Sequence, residues 1–167
     1  MTTVPSQIPT LTEALSKALI THRLSMVTAE SCTGGLIAAS CTDLSGSSAW
    51  FERGFVTYSN AAKTDMLGVP AELIDRYGAV SEPVARAMAL GALKHSLADC
   101  SVAVTGVAGP TGGSIEKPVG TVWLAWALRQ SSHCESMVQV FTGDRLAVRN
   151  ATTALALSRL TDLVLKP

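Results

Sequence analysis

The chain has 167 residues, enough for one domain of ordinary size. Apolar residues make up 47% and charged residues 16%, a balance that excludes a disordered, solvating chain. Thirteen Lys and Arg offset thirteen Asp and Glu, so the formal net charge is zero and a nucleic-acid partner, which calls for a basic excess, is not expected. No run of about 18 apolar residues is present, so no membrane-spanning helix is expected. The first residues show no charged start followed by an apolar stretch, so no secretory leader is expected. Cys32, Cys41, Cys100 and Cys134 form no C-x-x-C pair and no zinc-like spacing with histidine beyond His133 next to Cys134. They read as small apolar residues in a reducing, cytoplasmic setting, with no metal.

Residues 1–9, with Pro5 and Pro9, read as a tail, and 10–167 as a single domain. Leu11, Ala14, Leu15, Ala18 and Leu19 recur at helical spacing, which predicts a first amphipathic helix from Leu11 to Ile20. Ser25–Ala29 is a short β-rich run, and Leu36–Cys41 is apolar nearly all round, which predicts a buried helix from about Thr33. Gly54–Ser59 reads as a second strand, with Asn60 capping a helix through Leu67. Pro70 opens a short helix that stops at Gly78, and Ser81-Glu82-Pro83 opens a long Ala-rich one, Val84–Leu97. Ser101–Thr105 is a buried strand, Val119–Leu128 and Glu135–Phe141 read as a hairpin, and a last helix runs from about Asp144 to Leu165. Strands alternating with helices and ending in a hairpin predict an α/β fold, a three-layer α/β/α sandwich around a mixed sheet of about five strands.

Three segments each follow a strand, and in open α/β sheets sites form at the carboxyl ends of strands. The first is Glu30–Gly35. Ser31 stands where a strand meets a helix, and unpaired amides there can hold an oxyanion. Helix capping by Ser31 or Thr33 is the plainer alternative. Cys32 competes as nucleophile, since a thiol at a helix start can ionise early, and the residues leave Ser31 against Cys32 open.

The second segment is Tyr58–Lys63. None of His22, His95 and His133 sits at the inferred active edge, so Lys63 is the available base for a serine and Tyr58 a relay of its proton. A lysine does this only if its surroundings lower its pKa, and a solvated surface lysine is the plainer alternative. The third is Thr105–Gly113, whose Gly109, Gly112 and Gly113 permit amides to converge on an anion, or else make an ordinary long turn. It matches neither the P-loop nor the dinucleotide pattern. Arg145 and Arg149, four apart, either grip a phosphate together or pair with neighbours such as Asp144 on a wet face. Ser114-Ile115-Glu116-Lys117 matches S-x-x-K, but the glycines and Pro118 around it argue against the helix that chemistry needs.

Six blocks occur in order: Ala29–Gly35 (A-E-S-C-T-G-G), Gly54–Asn60 with Lys63, Gly78–Glu82, Gly106–Gly113, Lys117–Val122 and Gly143–Arg145. Over about residues 10–165 the chain resembles the competence/damage-inducible protein CinA C-terminal family, and within it the stand-alone nicotinamide-nucleotide amidohydrolases. The resemblance implies hydrolysis of the carboxamide of nicotinamide mononucleotide, a pyridine nucleotide, to nicotinate mononucleotide and ammonia. It implies an acyl-enzyme formed at a Ser/Lys/Tyr site, here Ser31, Lys63 and Tyr58, without metal or cofactor, in a homodimer. Larger relatives carry a further N-terminal domain, which at this length is not expected here. Under this reading the amides of Thr33, Gly34 and Gly35 receive the oxyanion. Gly109, Gly112, Gly113 and Arg145 hold phosphate and ribose, Thr105 joins their network, and Glu30 orients Lys63 or offsets the pyridinium charge. The alternative is a nucleotide-binding regulatory module without turnover.

Overall fold

The computed structural model describes residues 7–131 and 133–166. β1 (Met26–Glu30) pairs in parallel with β2 (Phe51–Val56) on one side and β3 (Cys100–Gly106) on the other. β4 (Thr121–Leu128) runs antiparallel to β3, and β5 (His133–Val140) antiparallel to β4. The order β2-β1-β3-β4-β5 makes a mixed sheet of five strands, three of them parallel neighbours whose carboxyl ends share one edge.

The strands are apolar in a period of two, and each side of that period faces its own helices. Met26, Val102, Val104, Leu124 and Trp126 pack with Leu15 and Leu19 of α1 (Ile8–His22), Ile37 of α2 (Leu36–Thr42) and Leu157 of α6 (Arg145–Leu165). Val27, Ala29, Ala103, Ala125 and Ala127 face the other way. They pack with Leu67 of α3 (Asn60–Leu67), Ile74 of α4 (Ala71–Tyr77) and Met88 of α5 (Glu82–Lys94). Helices cover both faces, which is the three-layer sandwich the sequence predicts. Each fully buried Leu, Val or Met contributes about 1.5–3 kcal/mol, so both faces hold the sheet. Small side chains line the second face, and α5 lies close. A methyl group on its Gly91 would come within 2.2 Å of the Leu67 carbonyl oxygen, which fixes α3 against α5.

Element ends depart from the sequence reading in ways that matter for the site. β2 is Phe51–Val56, not 54–59. The Thr57 N–H makes a last bond to the Glu30 carbonyl at 2.8 Å, after which the chain turns away. α2 begins at Leu36 rather than Thr33, because residues 31–36 are used in tight turns closed by Gly34 N–H on Ser31 O and Leu36 N–H on Thr33 O. Ser59, not Asn60, caps α3, its hydroxyl accepting from the Ala62 amide at 3.0 Å. α5 stops at Lys94, short of Leu97. Of the expected tail, residues 1–6 lie outside the described residues. Ile8 and Pro9 belong to the first turn of α1, where proline's missing N–H has no partner to lose.

Candidate active site

The exits of β1, β2 and β3 surround a cavity of about 370 Å³, whose wall includes Ser31, Tyr58, Lys63, Thr105, Gly109 and Arg145. Each expected segment contributes to it, as the strand-end argument requires.

Lys63, in the first full turn of α3, is 1% exposed. Its Nζ lies 3.0 Å from Ser31 Oγ, 2.9 Å from the Thr57 carbonyl oxygen and 3.3 Å from that of Tyr58. The exit from β2 thus serves the site through its backbone: the carbonyls of Thr57 and Tyr58, freed from the sheet, hold the amine. No carboxylate pairs with Lys63 among the described residues. Burial pushes its pKa below the ordinary value of 10.5, with the adjacent Cys32 acting the other way. A neutral amine suits this arrangement. In the neutral form two N–H groups can donate to the two carbonyls with the lone pair facing Ser31 Oγ, whereas an ammonium would donate to all three oxygens. The solvated-lysine alternative does not apply to a side chain this buried.

Ser31 is 8% exposed at the cavity wall. Its amide donates to the Val104 carbonyl and its own carbonyl accepts from Gly34. The Cys32 thiol is buried, and burial pushes it up to about 11, so a thiolate is disfavoured beside the same lysine. Neither Ser31 nor Thr33 caps α2. Glu30 does so, its carboxylate accepting from the amides of Gly35, Ile37 and Ala38 and from the Thr33 hydroxyl.

Tyr58 is 60% exposed, and its hydroxyl accepts from Arg145 Nη2 at 3.1 Å instead of meeting Ser31 or Lys63. Arg145 Nη1 donates to the Gly109 carbonyl at 2.7 Å, so the arginine spans the cavity mouth from α6 to the third segment. Gly109 (φ +80°) and Gly112 (φ +88°) lie in the left-handed region, which turns the chain back on itself. The amides of Ala108, Gly109, Thr111 and Gly112 donate to no acceptor among the described residues and remain open to an anion.

Seven of the expected site residues meet at the cavity: Ser31, Tyr58, Lys63, Thr105, Gly109, Gly112 and Arg145. Five do not line it. Glu30 and Thr33 are both 0% exposed and bonded to each other, so neither side chain opens on the cavity, and no hydrogen bond or ion pair joins Glu30 to Lys63 among the described residues. The Gly34 and Gly35 amides are taken by Ser31 O and by Glu30, which removes them as oxyanion donors. Gly113 packs on Val119, whose amide nitrogen lies 2.7 Å from where a Cβ would stand. Arg149 does not join Arg145; its Nη2 donates to the Thr33 carbonyl at 2.7 Å. Ser114–Lys117 is a turn, as expected, with Lys117 Nζ on the Tyr77 carbonyl. Sequence reasoning missed Asn60, Ala79 and Val80 on the wall. Reading Asn60 as a cap hid it. The Gly78–Glu82 block has no role in the sequence reading, although Thr105 Oγ1 donates to the Ala79 carbonyl at 2.9 Å and ties that block to the site. Among the described residues no three His, Cys, Asp or Glu side chains are gathered as a metal ion needs.

The architecture is an α/β sandwich with a buried Ser–Lys pair at the carboxyl edge of its parallel strands. The chain belongs to the CinA C-terminal domain family, whose model matches residues 8–164. It is 53% identical over 155 residues to the nicotinamide-nucleotide amidohydrolase PncC of Escherichia coli (strain K12), spanning 93% of each chain. It is 53% identical over 156 residues to the protein of that name from Pseudomonas putida, spanning 93% of this chain and 96% of that one. The solved structure of the competence/damage inducible protein CihA from Agrobacterium tumefaciens superposes with a TM-score of 0.92 at 46% identity, over 98% of this chain and 99% of that one. No helix of the described residues is long and apolar enough to cross a membrane.

Proposed function

We propose that the chain hydrolyses the carboxamide of nicotinamide mononucleotide to nicotinate mononucleotide and ammonia, through an acyl-enzyme on Ser31. The observation that carries this reading is the 3.0 Å contact between the buried Lys63 amine and Ser31 Oγ, in a chain whose relatives are named nicotinamide-nucleotide amidohydrolases. Neutral Lys63 takes the Ser31 proton as Oγ attacks the amide carbon. The Cys32 amide, next to the nucleophile and otherwise paired only with its own thiol, is assigned as the oxyanion donor, worth about 3 kcal/mol. Tyr58 accepts from Arg145 and keeps its own O–H free to donate, which supports the role of passing a proton to the departing ammonia. Lys63, having released the Ser31 proton through solvent to replace the one Tyr58 gave to ammonia, is neutral again. Water then attacks the acyl carbon, and Lys63 takes a proton from it and passes it to Ser31 Oγ as the carboxylate leaves.

The open amides of Ala108, Gly109, Thr111 and Gly112 together with Arg145 form the seat for the phosphate and ribose. A homodimer and a cytoplasmic setting belong to the same proposal. Light scattering on the purified chain decides the first.

The experiment is ammonia release from nicotinamide mononucleotide by the wild type and by Ser31→Ala. Turnover in the first and none in the second is expected. The regulatory alternative requires thermal stabilisation by the mononucleotide with no product at long incubation, and that result would replace the enzymatic reading.

A further inference from the structure

We infer that Glu30 is a positioning residue: its buried carboxylate holds the 31–35 turn and thereby aims Ser31 Oγ, without touching the substrate. The inference rests on the proposed role of Ser31 as nucleophile. Glu30 is the last residue of β1, and its backbone is fixed in the sheet, its carbonyl accepting from the Thr57 amide. Its side chain then reaches forward. Oε2 accepts the Thr33 hydroxyl at 2.6 Å, the Gly35 amide at 3.1 Å and the Ile37 amide at 3.0 Å, while Oε1 accepts the Ala38 amide at 2.8 Å. One side chain therefore closes a loop of chain running from 30 to 38, with Ser31 at its start.

The arrangement matches an ionised carboxylate. All four partners are donors, and a carboxylate only accepts. No cation pairs with Glu30 among the described residues, so neutral donors alone offset the burial of its charge. Beyond its own two bonds, Gly34 N–H on Ser31 O and Leu36 N–H on Thr33 O, the turn draws little support from α2, which is seven residues long and does not stand by its own propensity. The second tie comes from the other side, where Arg149 of α6 donates to the Thr33 carbonyl. With both in place Ser31 is fixed through its own amide on Val104, through its carbonyl on Gly34, and through the turn that follows. A glutamine has the same shape but must turn an N–H toward one of four donors, so the exchange of one atom for another group disturbs the turn with no change of size.

The test uses the full chain with Glu30→Gln and Thr33→Val. Two rates are measured per folded molecule: ammonia release from nicotinamide mononucleotide, and covalent capture of Ser31 by a fluorophosphonate followed by mass spectrometry. For Glu30→Gln a fall in kcat of about 10–100-fold is expected, with KM within about twofold and a parallel fall in the capture rate. Thr33→Val, which removes one of the four donors, gives a smaller loss of the same kind. A lower Tm with kcat and capture rate unchanged marks a purely structural cap and overturns the inference. If Glu30→Gln does not fold, Thr33→Val decides by the same criteria. If the wild type is captured at Ser31 but releases no ammonia, the proposed substrate fails while the capture rates still decide the role of Glu30. If the wild type is not captured at Ser31, the inference falls with the nucleophile.

Discussion

Lys63 Nζ and Ser31 Oγ, separated by 32 positions in the chain, meet at 3.0 Å inside the protein. Three things bring them together: β1 and β2 lie side by side, the chain leaves each at the same edge, and α3 starts straight after β2. The first prediction concerns the charge on this pair. In the proposed mechanism the active form is the neutral amine, and burial has moved the Lys63 pKa below 10.5. Activity therefore rises with pH as Lys63 gives up its proton, and kcat/KM shows an acid limb with its midpoint below the ordinary lysine value. Lys63→Arg, which cannot become neutral in water, abolishes turnover at every pH. A pH–rate profile from about pH 6 to 10 checks both statements, and an Arg variant that turns over normally defeats them.

The second prediction separates two neighbouring nucleophiles. Ser31→Ala lowers kcat by roughly a thousandfold or more. Cys32→Ala keeps the backbone amide and removes only a buried thiol that burial holds near 11, so turnover persists. Ammonia assays on the two purified variants decide it. Loss confined to the Cys32 variant would move the chemistry to sulfur.

The third prediction concerns Arg145, which joins Gly109 to Tyr58 across the cavity mouth. If its guanidinium holds the phosphate, Arg145→Ala raises KM for the mononucleotide by about 10–100-fold, the loss of one or two charge-assisted bonds. The same variant leaves KM unchanged for the nucleoside, which has no phosphate to lose. An equal rise for both substrates would instead place the arginine on the base or the ribose.

The layers of the fold were legible because alternating apolar residues and helical spacing record burial directly. Val102 and Val104 face one side of the sheet and Ala103 the other, as a period of two requires. The Ser31–Lys63 pairing was legible only in that both residues follow strands and no histidine stands at that edge, together with the family resemblance that implied it. What stayed hidden was the direction of side chains. A glutamate beside a serine invites a chemical role, yet Glu30 turns back into the protein to take up amides that a short helix leaves unpaired. Arg145 and Arg149 share a helical face, but one reaches forward to Gly109 and the other sideways to Thr33. Spacing places both residues on one side of α6 and does not say which acceptor each will find.

The last prediction concerns stability. Burial raises the thiols of Cys32, Cys41 and Cys100 from 9.0 to about 11, 12 and 12. For an acid with a raised pKa in the fold, the unfolded chain loses its proton first as pH rises. Stability is therefore unaffected below about pH 9 and falls steadily above it, until the folded thiols themselves ionise. At about pH 10 each of the three thiols costs roughly 1 kcal/mol, out of a typical total of about 5–15 kcal/mol. Lys63 works the other way: its folded pKa is lowered, so its contribution improves as pH approaches 10.5. Above about pH 9, where the three thiols titrate in the unfolded chain, they outweigh the one amine and the net slope is downward. Thermal unfolding between about pH 9 and pH 10 reads this slope, and Cys41→Ala, whatever its effect on packing, makes it shallower because one titrating group is gone. A wild-type Tm that holds level across that range rules the thiol account out.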